Sequence, residues 1–289
     1  MPHVTVIGDA LLDTLARPSD TVRPGEDVPA RIVVAPGGQG ANVAVRLARR
    51  GVAVRLACGI ADDAAGSLVQ EALRREGLDL DVIPVVATGC VVIVLDGSGE
   101  RTMLSQRASF AAALVDRGLR DAPWTIVSGY LLLEPDAMLL ADATAALDGR
   151  VAVLGCAIPQ EQRASWRSTV ERVRPDLLVL NRQEARWLAP VDALAPCVVV
   201  TSADAVTAST SSASITVSLL PTPAPTDTTG AGDAFAAALV HGLLEQPWPP
   251  SASMLEAAMS DAAEVATQVA DIAGAQGLVA AEAAMARKP

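Results

Sequence analysis

The chain has 289 residues, 51% of them hydrophobic and 19% charged, with a formal net charge of −11. That apolar content is ample for a large core, while the acidic excess, spread along the chain, leaves no basic footprint for a nucleic acid. Lysine occurs once, at Lys288, and histidine only at His3 and His241, which removes Walker and protein-kinase lysines, Schiff-base chemistry and Ser-His-Asp triads.

The N-terminus enters a strand-like Val4-Thr5-Val6-Ile7 directly, without the basic segment of a secretory leader. No apolar run approaches the roughly 18 residues of a membrane span. Residues 3–8 read as a strand and 41–51 as a helix closed by Gly51; strand 52–58 and helix 63–76 follow, closed by Gly77. After these come helix 111–120, strand 124–128, helix 136–147, strand 151–155, helix 160–173 and strand 176–180. Such alternation predicts βαβ units and a mostly parallel sheet covered by helices, and the Val-rich strands suit burial on both faces.

Two stretches break the rhythm. Residues 26–36 and 81–107 are β-prone without intervening helices, and Asp96-Gly97-Ser98-Gly99 is a hairpin signal. They predict a small antiparallel lid, from about 14–36 and 81–107, on a single domain spanning 1–289. From 197 to 220 strands follow one another, then helices at 231–245 and 252–272, separated by Pro247-Trp248-Pro249-Pro250. The four cysteines, Cys58, Cys90, Cys156 and Cys197, are far apart in apolar surroundings; they read as reduced core residues of a cytoplasmic protein.

The most informative segment is Asp227-Thr228-Thr229-Gly230-Ala231-Gly232-Asp233, which opens an apolar helix. Glycines at a helix entry let backbone N–H groups turn toward an anion. A carboxylate placed there repels a phosphate unless it has a task, and proton abstraction from an acceptor hydroxyl is such a task. The plain alternative is a helix start with Thr229 as N-cap and an acid in the first turn. A dinucleotide fingerprint fits poorly, because Phe235 stands where a third small residue belongs.

The segment resembles the signature of ribokinase-type (PfkB) carbohydrate kinases. Gly37-Gly38-Gln39-Gly40-Ala41-Asn42 is similar to that family's Gly-Gly-x-x-x-Asn, Asn181-Arg182-Gln183-Glu184 to its Asn-x-x-Glu, and Gly8 to Asp13 to its first strand, ending in a substrate aspartate. The resemblance implies a ribokinase-like three-layer α/β/α sandwich with a mostly parallel central sheet and a small β-sheet lid. It implies ATP-dependent phosphorylation of a sugar hydroxyl with Asp233 as general base and the amides of Gly230, Ala231 and Gly232 as an anion hole. Asp13, Gly37, Gly38, Asn42 and Glu134 would hold the acceptor, and Asn181, Thr201 and Thr228 the nucleotide. Glu184 would act on Mg²⁺ through water. The plain readings are a strand-end turn for Asp13, first-turn helix polarity for Asn42, and for Asn181 and Glu184 an ordinary helix start. Gln39, where the family often has lysine, is assigned no role. Family members often bind K⁺ through backbone carbonyls and pair as homodimers through their lids.

The family's Thr-x-Gly-x-x-Gly is replaced here by Thr201-Ser202-Ala203-Asp204-Ala205-Val206. This motivates a rival, a sugar- or nucleoside-binding sensor on the kinase fold. A nucleoside kinase is a further alternative, although aromatics at 2% of the chain offer few stacking partners for a base.

Overall fold

The structure, a computed structural model, describes residues 4–95, 101–219 and 230–270. The first half runs β1 (Val4–Ile7), β2 (Leu11–Pro18), β3 (Ala30–Gly37), α1 (Gln39–Arg49), β4 (Val54–Ile60), α2 (Ala64–Arg75), β5 (Asp79–Pro84), β6 (Gly89–Leu95), β7 (Arg101–Gln106) and α3 (Ala111–Arg117). It continues with β8 (Trp124–Val127), α4 (Ala137–Ala145), β9 (Arg150–Leu154), α5 (Arg163–Val173), β10 (Leu177–Asn181) and α6 (Arg182–Leu188). The last elements are β11 (Cys197–Thr201), β12 (Ala205–Thr210), β13 (Ser214–Ser218), α7 (Ala231–Leu243) and α8 (Ala252–Ala270).

Nine strands form the main sheet in the order β13-β12-β11-β10-β9-β8-β1-β4-β5. All neighbours are parallel except β11–β12 and β12–β13. Alternate residues of the central strands feed two cores. Val4, Val6 and Leu56 meet α1, α2, α7 and α8 through Leu47, Leu73, Leu239 and Met259. On the opposite face Ile7, Val127 and Val153 meet α3, α4 and α5 through Leu114, Leu140 and Trp166. This gives the expected three-layer α/β/α sandwich, with both faces of the sheet dry. No helix among the described residues is long and apolar enough to cross a membrane.

The smaller sheet has the order β3-β2-β6-β7 and differs from the expected lid in three ways. Residues 81–84 belong to β5, which pairs with β4 at the edge of the main sheet, so this part of the lid begins only at Gly89. The lid is mixed rather than antiparallel: β2 and β6 run parallel, because they follow the C-terminal ends of two parallel strands of the main sheet, β1 and β5. The first strand ends at Ile7, and Asp13 lies in β2 of the lid, opposite Ala35. The hairpin tip at 96–99 lies outside the described residues, although β6 and β7 pair antiparallel on either side of it.

The lid has two unlike faces. Leu11, Leu15, Val91 and Ile93 point to one side and are buried. On the other, Ile32 and Val34 of β3, Val92 of β6 and Leu104 of β7 are all exposed. Cross-strand register puts Val34, Thr14, Val92 and Leu104 in one row across this outer face.

Candidate active site

The site is built where β1 ends. Gly8 and the start of α1 touch: a Cβ on Gly8 would come 2.7 Å from Gly40 Cα, and one on Gly40 would come 2.6 Å from Gly8. Gly38 enters the helix at φ 96°, in the region that favours glycine. Asp9, buried, accepts from the Gly40 amide at 3.3 Å and from Ser128 Oγ at 3.2 Å, and its carbonyl accepts from the Ala41 amide at 3.0 Å. These bonds fix the first turn of α1, which carries Asn42.

Asn42 is buried and donates from Nδ2 to Asp233 Oδ2 at 2.7 Å. Its Oδ1 has no partner among the described residues, an arrangement costly unless a donor completes it. Asp233 stands in the first turn of α7, after Gly230 in the left-handed region at φ 76°. The amides at such a start have no intrahelical acceptors, and the helix dipole favours an anion there. Burial pushes the Asp233 carboxyl up to about 6; Asp9 raises it further, while the Asn42 bond, Arg46 and Arg107 pull it down. A Cβ on Gly232 would meet no described atom within 4 Å. Thr228 lies outside the described residues.

Asp13 brings a second carboxylate from the lid. It lies flat against Gly37, where a Cβ would come 2.0 Å from Asp13 Oδ2. The paired glycines thus serve different ends: Gly37 makes room for this carboxylate, and Gly38 supplies the backbone turn. Burial pushes Asp13 up to about 7, Asp9 and Asp233 add to the rise, and Arg107 opposes it.

Next to Asp233 runs a cleft of about 310 Å³, lined by Gln39, Asn181, Glu184, Trp187 and Thr201 among others. Asn181 and Glu184 form a reciprocal capping box. Asn181 Oδ1 accepts from the amides of Gln183 and Glu184, both at 2.9 Å, and Glu184 Oε2 accepts from the Asn181 amide at 2.8 Å. The plain reading of this pair as a helix start is thus realised, while the cleft places the same two residues where a ligand can reach them. Glu184 is buried, and burial pushes it up to about 7 against the pull of its bond to the Asn181 amide. Its carboxylate lies on Gly155, where a Cβ would come 2.0 Å from Oε2.

Thr201 ends β11 at a tight turn into β12. Ser202 Oγ donates to the Ala205 carbonyl at 2.6 Å and Arg182 donates to Asp204 at 2.5 Å, so side chains close the turn without glycine. Glu134 is already engaged. Its Oε2 accepts from Ser109 Oγ at 2.8 Å and from the amides of Phe110 and Ala111 at 3.0 and 2.9 Å, which caps α3. It lines a second cavity of about 240 Å³ with Asp9, Arg107 and Tyr130.

Three contributors escaped the sequence. Gln39 donates to the Gly155 carbonyl at 2.8 Å and accepts from Ser128 Oγ at 2.7 Å and the Gly129 amide at 3.1 Å. It therefore ties α1 to the ends of β8 and β9. Arg107 pairs with Asp9 over the Tyr130 ring, and Trp187 walls the larger cleft beneath Arg163, whose guanidinium lies 4.0 Å from its ring centroid. Gln39 sits inside the glycine motif at the start of α1, whose buried first turn signals a need for polar partners. Nothing near Arg107 or Trp187 in sequence marks either.

No group of three or more His, Cys, Asp or Glu that could cage a metal occurs among the described residues. A lone buried carboxylate with one oxygen committed fits an ion such as Mg²⁺ that keeps its waters and takes few protein ligands.

Comparison with known proteins agrees with this architecture. Residues 1–281 match the model of the pfkB family of carbohydrate kinases. A fructokinase from Klebsiella pneumoniae is 34% identical over 102 residues, a stretch that covers 34% of this chain and 30% of that protein. Among solved structures, the ribokinase of Thermotoga maritima superposes with a TM-score of 0.76 at 21% identity, covering 96% of this chain and 95% of its own. The adenosine kinase of Sinorhizobium meliloti gives 0.75 at 21% identity, covering 98% and 99%.

Proposed function

We propose that this chain, which belongs to the pfkB family of carbohydrate kinases, transfers the γ-phosphoryl group of ATP to a hydroxyl of a sugar or sugar-like molecule. One observation carries the reading: Asp233, at the start of α7, is hydrogen-bonded to buried Asn42 and stands between the Asp13 carboxylate and the cleft of Asn181 and Glu184. In this reading Asp233 takes the acceptor proton, and a carboxyl held near 6 is deprotonated at neutral pH yet basic enough to do so. Asp13, Asn42 and the backbone of buried Gly37-Gly38 orient the acceptor, with Glu134 at its far side. The amides of Gly230, Ala231 and Gly232 stabilise charge on the transferred group; preorganised donors of this kind contribute about 3–4 kcal/mol each.

Asn181, Thr201 and Thr228 are assigned to the nucleotide. Glu184 would hold Mg²⁺ through water, and when bound the ion would neutralise phosphate charge. The exposed apolar outer face of the lid supports a homodimer built through that sheet, since an uncovered apolar sheet is a liability in a monomer.

The test is a coupled ADP-release assay with Mg·ATP across sugars and nucleosides, with Asp233→Asn beside the wild type. Turnover on one acceptor, reduced about 10²–10⁴-fold in the variant, is expected; an Asp233→Asn protein of full activity would remove the mechanism. A second reading, a sensor that binds sugar or nucleoside without turnover, draws on the glycine-free turn at Thr201–Ala205. Calorimetric silence toward ATP, ADP and GTP with Mg²⁺ would favour it.

A further inference from the structure

We propose that Arg107 is a positioning residue at the root of the lid, where it acts as counter-ion to buried Asp9 and, through the contacts of Asp9 with the turn that carries Asn42, keeps Asp233 ready to accept a proton; this rests on the kinase reading above. Arg107 directly follows β7, an edge strand of the lid, where the chain returns to α3. Its Nη1 donates to Asp9 Oδ2, and its guanidinium lies 3.5 Å from the centroid of the Tyr130 ring. Asp9 occupies another root of the lid, between β1 and β2. One ion pair thus joins two points where the lid leaves the core.

From Asp9 the connection runs inward. Its other oxygen and its carbonyl hold the amides of Gly40 and Ala41, and the helix turn so fixed presents Asn42 to Asp233. Removing Arg107 leaves Asp9 buried without its cation, which strains this chain of contacts and exposes Asp233 to an uncompensated negative charge.

The described groups that act on Asp233 come from three elements. Asn42 and Arg46 belong to α1, Asp9 to the β1–β2 link, and Arg107 to the end of the lid. Asp13 on β2 feels Asp233 in turn but, pushed up to about 7, is mostly neutral near pH 6. Glu184 of α6 lines the same cleft. Arg46 rides on a core helix and Arg107 sits at the root where β7 leaves the lid, so the two cations reach the site from separate elements and both hold the Asp233 carboxyl down against its burial.

The experiment compares pH profiles of kcat/KM for wild type, Arg107→Met, Arg107→Lys, Asp9→Asn and the Arg107→Met/Asp9→Asn double variant. The acid limb of Arg107→Met is expected to move up by about half a unit to one unit. Arg107→Lys should keep the wild-type limb at reduced rate, Asp9→Asn should move it down, and the double variant should fall between the single ones. Limbs that coincide across all variants, with only the plateau lowered, would show a merely structural role and overturn the proposal. A readout independent of turnover is the ¹³C carboxylate titration of Asp233 by NMR, assigned with Asp233→Asn. A raised midpoint in Arg107→Met supports the coupling even if no acceptor turns over, whereas an unmoved midpoint in both Arg107→Met and Asp9→Asn refutes it.

Discussion

Glu184→Gln separates the cost of a buried charge from its use. In the folded protein the Glu184 carboxyl is pushed up to about 7 from an ordinary 4.5, with burial as the leading cause. Below pH 4.5 both folded and unfolded chains hold the proton and no penalty arises. Between 4.5 and 7 the unfolded chain ionises first, so stability falls as pH rises, and above 7 the penalty is complete. A gap of about 2.5 units, at ~1.36 kcal/mol each, amounts to roughly 3 kcal/mol. Glutamine preserves the capping box, because its side-chain oxygen can still accept from the Asn181 amide. Urea unfolding without magnesium should therefore find Glu184→Gln equal to wild type near pH 4.5 and more stable by about 2–3 kcal/mol at pH 8. The same variant should lose Mg²⁺-dependent turnover. Equal stability at pH 8, or a variant less stable than wild type there, would refute the reasoning, since the ionised carboxylate would then be well accommodated by the fold alone.

Two further outcomes follow from packing. Gly37→Ala places a methyl group 2.0 Å from Asp13 Oδ2 and must turn that carboxylate aside; the acceptor KM should rise by about tenfold or more while the nucleotide KM is unchanged, as steady-state kinetics on both substrates will check. Leu104→Glu, at a position 64% exposed on the outer face of the lid, should convert the proposed dimer to a monomer of unchanged fold by light scattering.

Much of this architecture was legible. Periodicity located β1, β4 and the helix α1 that precedes β4, because local pattern and final burial agree there: Val4, Val6 and Leu56 alternate with residues of the opposite core. The Gly-Gly-x-x-x-Asn and Asp233 segments could be read because glycines at helix entries report a backbone need, and the structure brings Asn42 and Asp233 into contact across 191 positions. Other features depend on pairing that local sequence does not encode. The apolar stretch of β5 looks like lid, and only its partner β4 assigns it to the main sheet. Asp13 reads as a strand end, although the chain turns at Gly8–Ala10 and begins a new strand before reaching it. Arg107 finds Asp9 98 positions away, so no spacing rule marks it. Glu134 is the reverse case: an acid singled out for an acceptor spends one oxygen on three donors around Phe110.

The lid also has consequences as a mechanical part. The chain crosses between the two sheets or their helices at four places, at residues 8–10, 37–38, 85–88 and 107–110. A plate fixed at four roots along one margin rocks about that margin; it cannot swing freely as a segment on one tether would. For the same reason it is not a detachable module. A cut at its tip would leave both halves anchored, and a transplant into another scaffold would have to match four anchor points together. Variation in such a protein is therefore easiest at the outer margin of the plate, away from the roots, where length can change without disturbing the line about which it tilts.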